Sequence, residues 1–118
     1  MNLKRDQPIP PPPAEGEWLI ICGTREARTG WPDLQRQAGA NLARAHETLR
    51  TDPAPVPETD RQHRLRGKQL RSGEYQGRTL PRWQYEVTGG GRIWYLVDAE
   101  HRQVIVVLAS TGHPKATE

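Results

Sequence analysis

The chain has no phenylalanine, one cysteine and one methionine among 118 residues, and only 34% of it is hydrophobic. So few large apolar side chains fill one small core, and a proline-rich opening with little to bury shrinks that share further, so one domain is the limit. The lone Cys22 excludes an internal disulfide and offers no paired zinc ligand. Beside Leu19, Ile20 and Ile21 it reads as an inert core thiol. No metal site or cofactor motif is readable, so neither is expected. No apolar run approaches the roughly 20 residues of a membrane-spanning helix. The opening MNLKRDQPIPPPP is charged without an apolar stretch, unlike a secretory signal, and the expectation is a cytoplasmic protein with no membrane partner.

Charge of one sign is also scarce, since the net value is +3, but its distribution is uneven. Between Arg61 and Arg92 eight basic residues face two acidic ones, a local balance of +6, whereas residues 1–56 carry seven of each. Clustered cations attract polyanions and make binding salt dependent, which points to nucleic acid as a partner.

What is present is a C-terminal third of alternating apolar runs. Trp83, Tyr85 and Val87 alternate with Arg82, Gln84 and Glu86, and Gly89-Gly90-Gly91 then promises a hairpin turn with positive φ. A second strand opens at Arg92. The continuous run Val104 to Ala109 predicts a strand covered on both faces and therefore central, and Gly112 with Pro114 stops it, leaving His113 just past its end. Nearer the start, residues 1–16 hold Pro8 and Pro10 to Pro13, which favours an extended, disordered tail outside the core, with the folded domain spanning 17–118. Trp18 to Cys22 reads as a strand. Thr24 predicts the cap of a brief helix ending before Gly30, and Pro32 the start of a second helix whose stripe is Leu34, Ala38, Leu42, Ala45 and Leu49. Thr51 to Pro57 ends that helix. The expected class is α+β, with two N-terminal helices packed on one face of a small antiparallel sheet and the other face open.

In this order four short motifs stand out: Leu49-Arg50-Thr51-Asp52-Pro53, His63-Arg64-Leu65-Arg66-Gly67, Arg92-Ile93-Trp94-Tyr95 and Gly112-His113-Pro114-Lys115. Together they make residues 17–117 resemble the RelE/ParE superfamily of bacterial type II toxins. The resemblance implies a RelE-like fold, neutralisation by a cognate antitoxin protein and, in the RelE branch, cleavage of mRNA on the ribosome; in the ParE branch it implies DNA gyrase inhibition, and a degenerate toxin that only binds an antitoxin is a third form. Two departures are Pro114 after the histidine and the segment Gln69 to Leu80, which reads as an insertion carrying a glycine-rich hairpin.

RNA cleavage by its own 2′-hydroxyl needs a proton acceptor, charge stabilisation at phosphorus and a proton donor, and no metal. His113 titrates near neutral pH and matches the histidine that is catalytic in resembling RelE-branch enzymes. Arg92 offers a fixed charge and planar fork for phosphate, with Arg82 on its face and Lys115 near the end of the chain assisting. Arg64, Arg66 and Lys68 alternate and so would project together toward RNA from a strand. Trp94 shares Arg92's side and is the candidate for base stacking, while Trp83 and Tyr85 read as core. His63 reads as a capping or turn residue, and His46 and His101 as solvent-facing positions without a role.

Overall fold

A computed structural model describes residues 3–112. Its elements are strand β1 (Gln7–Pro8), strand β2 (Leu19–Cys22), helix α1 (Arg25–Thr51), and strands β3 (Gln62–Arg64), β4 (Ser72–Tyr75), β5 (Arg78–Glu86), β6 (Arg92–Asp98) and β7 (Gln103–Ser110).

The expected pair of helices divided at Gly30 and Pro32 is not found. One helical element runs from Arg25 through both residues to Thr51, opened by Thr24, whose hydroxyl accepts the Ala27 N–H at 3.0 Å. Gly30 does not terminate the helix. It lets the helix lie against β7, where any Cβ at this position would come 1.7 Å from the Ala109 carbonyl oxygen. The non-helical residue is Ala38 (φ −148°), followed by Gly39, and the bend there is sharp. Trp31 and His46 would stand about 22 Å apart along a straight helix, yet their rings meet edge-to-face at 6.0 Å.

The sheet also differs from expectation. It is mixed and seven-stranded, in the order β1-β2-β7-β6-β5-β3, with β4 pairing to β5 outside that path. Strand β2 lies parallel to β7, and every other pairing is antiparallel. The run from Val104 to Ala109 does form an internal strand: Val104 and Val106 face the helix, while Ile105 packs on the other side with Tyr75, Leu80 and Leu96. The helix-side core joins Trp31, Leu34, Leu42 and Leu49 to Trp83, Tyr85, Ile93 and Tyr95.

The proline-rich opening is a further correction, because it is laid along the sheet edge. The Asp6 and Ile9 N–H groups donate to Cys22 and Ile20 carbonyls at 2.6 and 2.8 Å, which supplies a ladder around Pro8 without needing its missing donor. Ile9 and Leu3 are buried. His46, expected in solvent, is buried under this arm: its Nε2 lies 3.0 Å from the Ile9 carbonyl oxygen and its Nδ1 2.7 Å from Arg50 Nη1, and Arg50 pairs with Glu17 at 3.1 Å. A carbonyl only accepts and a guanidinium only donates, so the ring is neutral with its proton on Nε2. Burial accordingly lowers the His46 pKa, although the Ile9 carbonyl opposes this.

Turn chemistry departs from the sequence expectation at one hairpin. Glycines with positive φ are Gly16, Gly67, Gly77 and Gly112, none of them in the Gly89–Gly91 turn. That turn is closed instead by Thr88, whose hydroxyl accepts the Gly91 N–H at 2.7 Å. The β4–β5 hairpin carries the positive φ pair, at Gln76 and Gly77, as a tight two-residue turn with right-handed strand twist requires.

Candidate functional site on the open sheet face

Register places the site. Residues directly opposite one another on paired strands point to the same face. His63 lies opposite Gln84, Gln84 opposite Trp94, and Trp94 opposite Leu108, which makes one row across four strands. The adjoining row is Glu86, Arg92 and Ser110. Both rows lie on the face away from the helix, because the alternate residues Trp83, Tyr85, Ile93 and Tyr95 are in the helix-side core.

Only half of this outer face is open. The next row, Arg82, Leu96 and Ile105, is roofed by the β4–β5 hairpin, where Tyr75 and Leu80 pack on Leu96 and Ile105. Tyr75 is fixed there by a 2.9 Å hydrogen bond to Asp6 of the N-terminal arm, and burial together with that carboxylate pushes its pKa up to about 12. The segment from Gln69 to Leu80, read as an insertion, thus forms a lid over part of the sheet, with Gly73 leaving room for the Arg82 guanidinium: a Cβ there would lie 2.7 Å from Nη2. The half that no other described residue covers contains His63, Gln84, Glu86, Arg92, Trp94, Leu108 and Ser110, all partly exposed.

Within it Trp94 is held by geometry. Its indole N–H donates to Gln84 Oε1 at 2.8 Å, so the ring is steered by a neighbour that the sequence reading gave no role. Arg92 stands two residues away on the same strand and face, and Glu86 is the one acidic side chain in these rows. A planar aromatic beside a guanidinium suits an unpaired base joined to its phosphate.

The remaining expected site residues are not gathered here. Arg82 shares the face, but its Nη1 lies 3.4 and 3.3 Å from the Gln69 and Leu70 carbonyl oxygens, so the loop before β4 occupies it. Arg64 lies opposite Trp83 and hence on the helix side, donating to the Arg71 carbonyl at 2.9 Å. Arg66 follows the end of β3 and pairs with Glu58 at 2.9 Å, while Lys68 is exposed after the turn at Gly67. The expected common projection of Arg64, Arg66 and Lys68 fails because β3 stops at Arg64. His113 and Lys115 lie outside the described residues.

Two other constellations are structural. At the far end of the sheet the buried Asp98 carboxylate accepts from Arg78 at 2.6 Å and lies 3.0 Å from His101 Nδ1, tying the β4–β5 hairpin to the β6–β7 turn. Burial pulls the Asp98 pKa upward, but the hydrogen bonds from Arg78 and His101 outweigh it and leave the pKa lowered. Cys22 is buried, and burial raises its thiol pKa, as its apolar neighbours implied. A cleft of about 530 Å³ borders the open face at Leu108 and Ser110, between β7 and the first turns of α1. Among the described residues no cluster of His, Cys, Asp and Glu could hold a metal, and no helix is long and apolar enough to cross a membrane. No protein-family description, curated protein or solved structure matches the chain.

Proposed function

We propose that this chain is the toxin of a type II toxin-antitoxin system, a RelE-like mRNA endonuclease that acts in the cytoplasm on the ribosome and is neutralised by a cognate antitoxin protein. The observation that carries the reading is the open half-face on which Trp94, steered by Gln84, stands beside Arg92. The +6 balance between Arg61 and Arg92 favours a polyanionic partner for the chain, and Arg92 is the cation of that segment in the open rows, opposite Glu86. Trp94 stacks on an exposed base, and Arg92 binds the adjoining phosphate and stabilises the charge that grows on its oxygens during 2′-hydroxyl attack. His113, as acid or base, and Lys115 enter this proposal through the sequence resemblance alone. Arg82 joins them only if the loop carbonyls release it.

Primer extension on a defined mRNA programmed into purified ribosomes tests the proposal, with ribosome-free RNA as control. Ribosome-dependent cuts that disappear in Arg92→Ala and Trp94→Ala are expected. Intact mRNA, with DNA supercoiling inhibited instead, would move the function to gyrase binding.

A further inference from the structure

His63 is a strand residue and not a turn residue: β3 carries it onto the open face in the row of Gln84 and Trp94. Of the three histidines among the described residues, His46 has both nitrogens engaged in the interior, and His101 faces Asp98 and Arg78 at the other end of the sheet. His63 differs from both. Its Nδ1 lies 3.0 Å from the Arg64 carbonyl oxygen, and the ring is partly exposed. Because a carbonyl oxygen only accepts, Nδ1 carries the proton and the lone pair of the neutral ring is on Nε2. A backbone carbonyl fixing one ring nitrogen so that the other is a proton acceptor is the arrangement a general base requires.

Spacing is compatible with one substrate strand. Neighbouring strands lie about 4.8 Å apart, so two strand steps put His63 and Trp94 at about 10 Å, a distance that one extended nucleotide and the two side chains bridge. His63 stands two strands to the side of Trp94 in the same row, so the ribose that presents its 2′-hydroxyl to His63 is one that extends across β5 from a base on Trp94 and a phosphate on Arg92.

We infer that His63 is a catalytic residue of the proposed RNA cleavage, the acceptor for the 2′-hydroxyl proton; the inference rests on the ribonuclease reading above. In the step, Nε2 takes the proton as O2′ forms its bond to phosphorus. The P–O5′ bond breaks, and the leaving oxygen takes a proton from water or from a second acidic group. The products are a 2′,3′-cyclic phosphate and a 5′-hydroxyl, and His63 returns its proton to solvent.

The test compares wild type with His63→Gln, which keeps a donor for the Arg64 carbonyl but does not titrate. Single-turnover cleavage on mRNA-programmed ribosomes is followed from pH 5 to 9, alongside binding of a non-cleavable 2′-deoxy message. A loss of cleavage of about 10²- to 10⁴-fold is expected, with binding held and the acid limb of the pH profile abolished. Wild-type cleavage with an unchanged rate and profile in His63→Gln would overturn the role of His63 and leave the ribonuclease reading standing. Wild type that cuts nothing would overturn both. A variant that loses message binding in step with cleavage would assign His63 to binding and reject the base. Independent of any variant, imidazole ¹⁵N shifts of His63 should report the Nδ1-protonated tautomer, and the opposite tautomer would also reject it.

Discussion

Replacing Ile9 with alanine tests whether the proline-rich opening is part of the fold. Ile9 is 1% exposed, its N–H donates to Ile20, and its carbonyl receives the buried His46. Truncating a buried isoleucine costs about 2–5 kcal/mol, because both transfer energy and a residual cavity contribute. Backbone groups remain in place, so their hydrogen bonds add little unless the arm detaches. If it does, the Nε2 proton of His46 is left without its carbonyl, which raises the cost toward the upper end. With a urea slope of about 1.5 kcal/mol/M, a loss of about 3 kcal/mol lowers the midpoint by about 2 M. The assay is urea denaturation followed by tryptophan fluorescence, paired with amide exchange at positions 6 and 9, whose N–H groups donate to the Cys22 and Ile20 carbonyls and anchor the arm. A midpoint within about 0.3 M of wild type, less than a quarter of the expected shift, would refute the docked arm and restore the view of residues 1–16 as a tail.

Other expectations follow from the same geometry. His46 is held neutral with its pKa below 6.5, so the unfolded chain takes up the proton at a higher pH than the folded one. Its contribution is therefore complete above pH 6.5 and declines as pH falls below that value toward the folded pKa; urea midpoints measured from pH 7.5 to 5 should drop, and the drop should shrink in His46→Gln. Gly30→Ala would ordinarily strengthen a helix by about 0.5–1 kcal/mol, but its Cβ would meet the Ala109 carbonyl at 1.7 Å, so a fall in melting temperature is expected. Gly39→Ala, whose Cβ has nothing nearer than Gln35 at 3.8 Å, should be tolerated far better in the same scan. Trp94→Ala should weaken single-stranded RNA binding by about 1–3 kcal/mol, and Arg92→Ala should reduce the slope of log affinity against log salt by about one, both read by fluorescence anisotropy.

Local signals were the legible ones. The apolar block at Ile20 and Ile21, the Thr24 cap, the proline-ended helix at Thr51 and the run from Val104 to Ala109 each became the element their chemistry implied. Signals whose meaning depends on a distant partner were misread. Gly30 resembles a helix stop in sequence because the carbonyl it accommodates lies 79 positions away, at Ala109. Pro8 resembles a tail because nothing local shows that an edge ladder would form with β2. His46 stands at a helix position where only the returning arm decides between burial and solvent.

The candidate site was legible in its alternation. Arg92 and Trp94 were placed together because they are two residues apart on a strand, and register bears out that shared face. The basic triplet failed for a reason of length: three alternating cations project together only if the strand continues, and β3 ends after Arg64. His63 and Gln84 were missed although the same period-two rule applies to both. What the sequence does not carry is the cross-strand register that brings them to Trp94.

The most direct test of the central claim uses the tryptophan indole N–H signals, since the chain has four tryptophans and only Trp94 lies on the open half-face. Titrating ¹⁵N-labelled protein with a short single-stranded RNA should shift the Trp94 indole signal and the backbone signals of His63, Gln84 and Arg92, while Trp31 and Trp83 stay in place. Binding that leaves Trp94 unmoved, or that shifts signals on the helix side of the sheet instead, would contradict the assignment of RNA to this face.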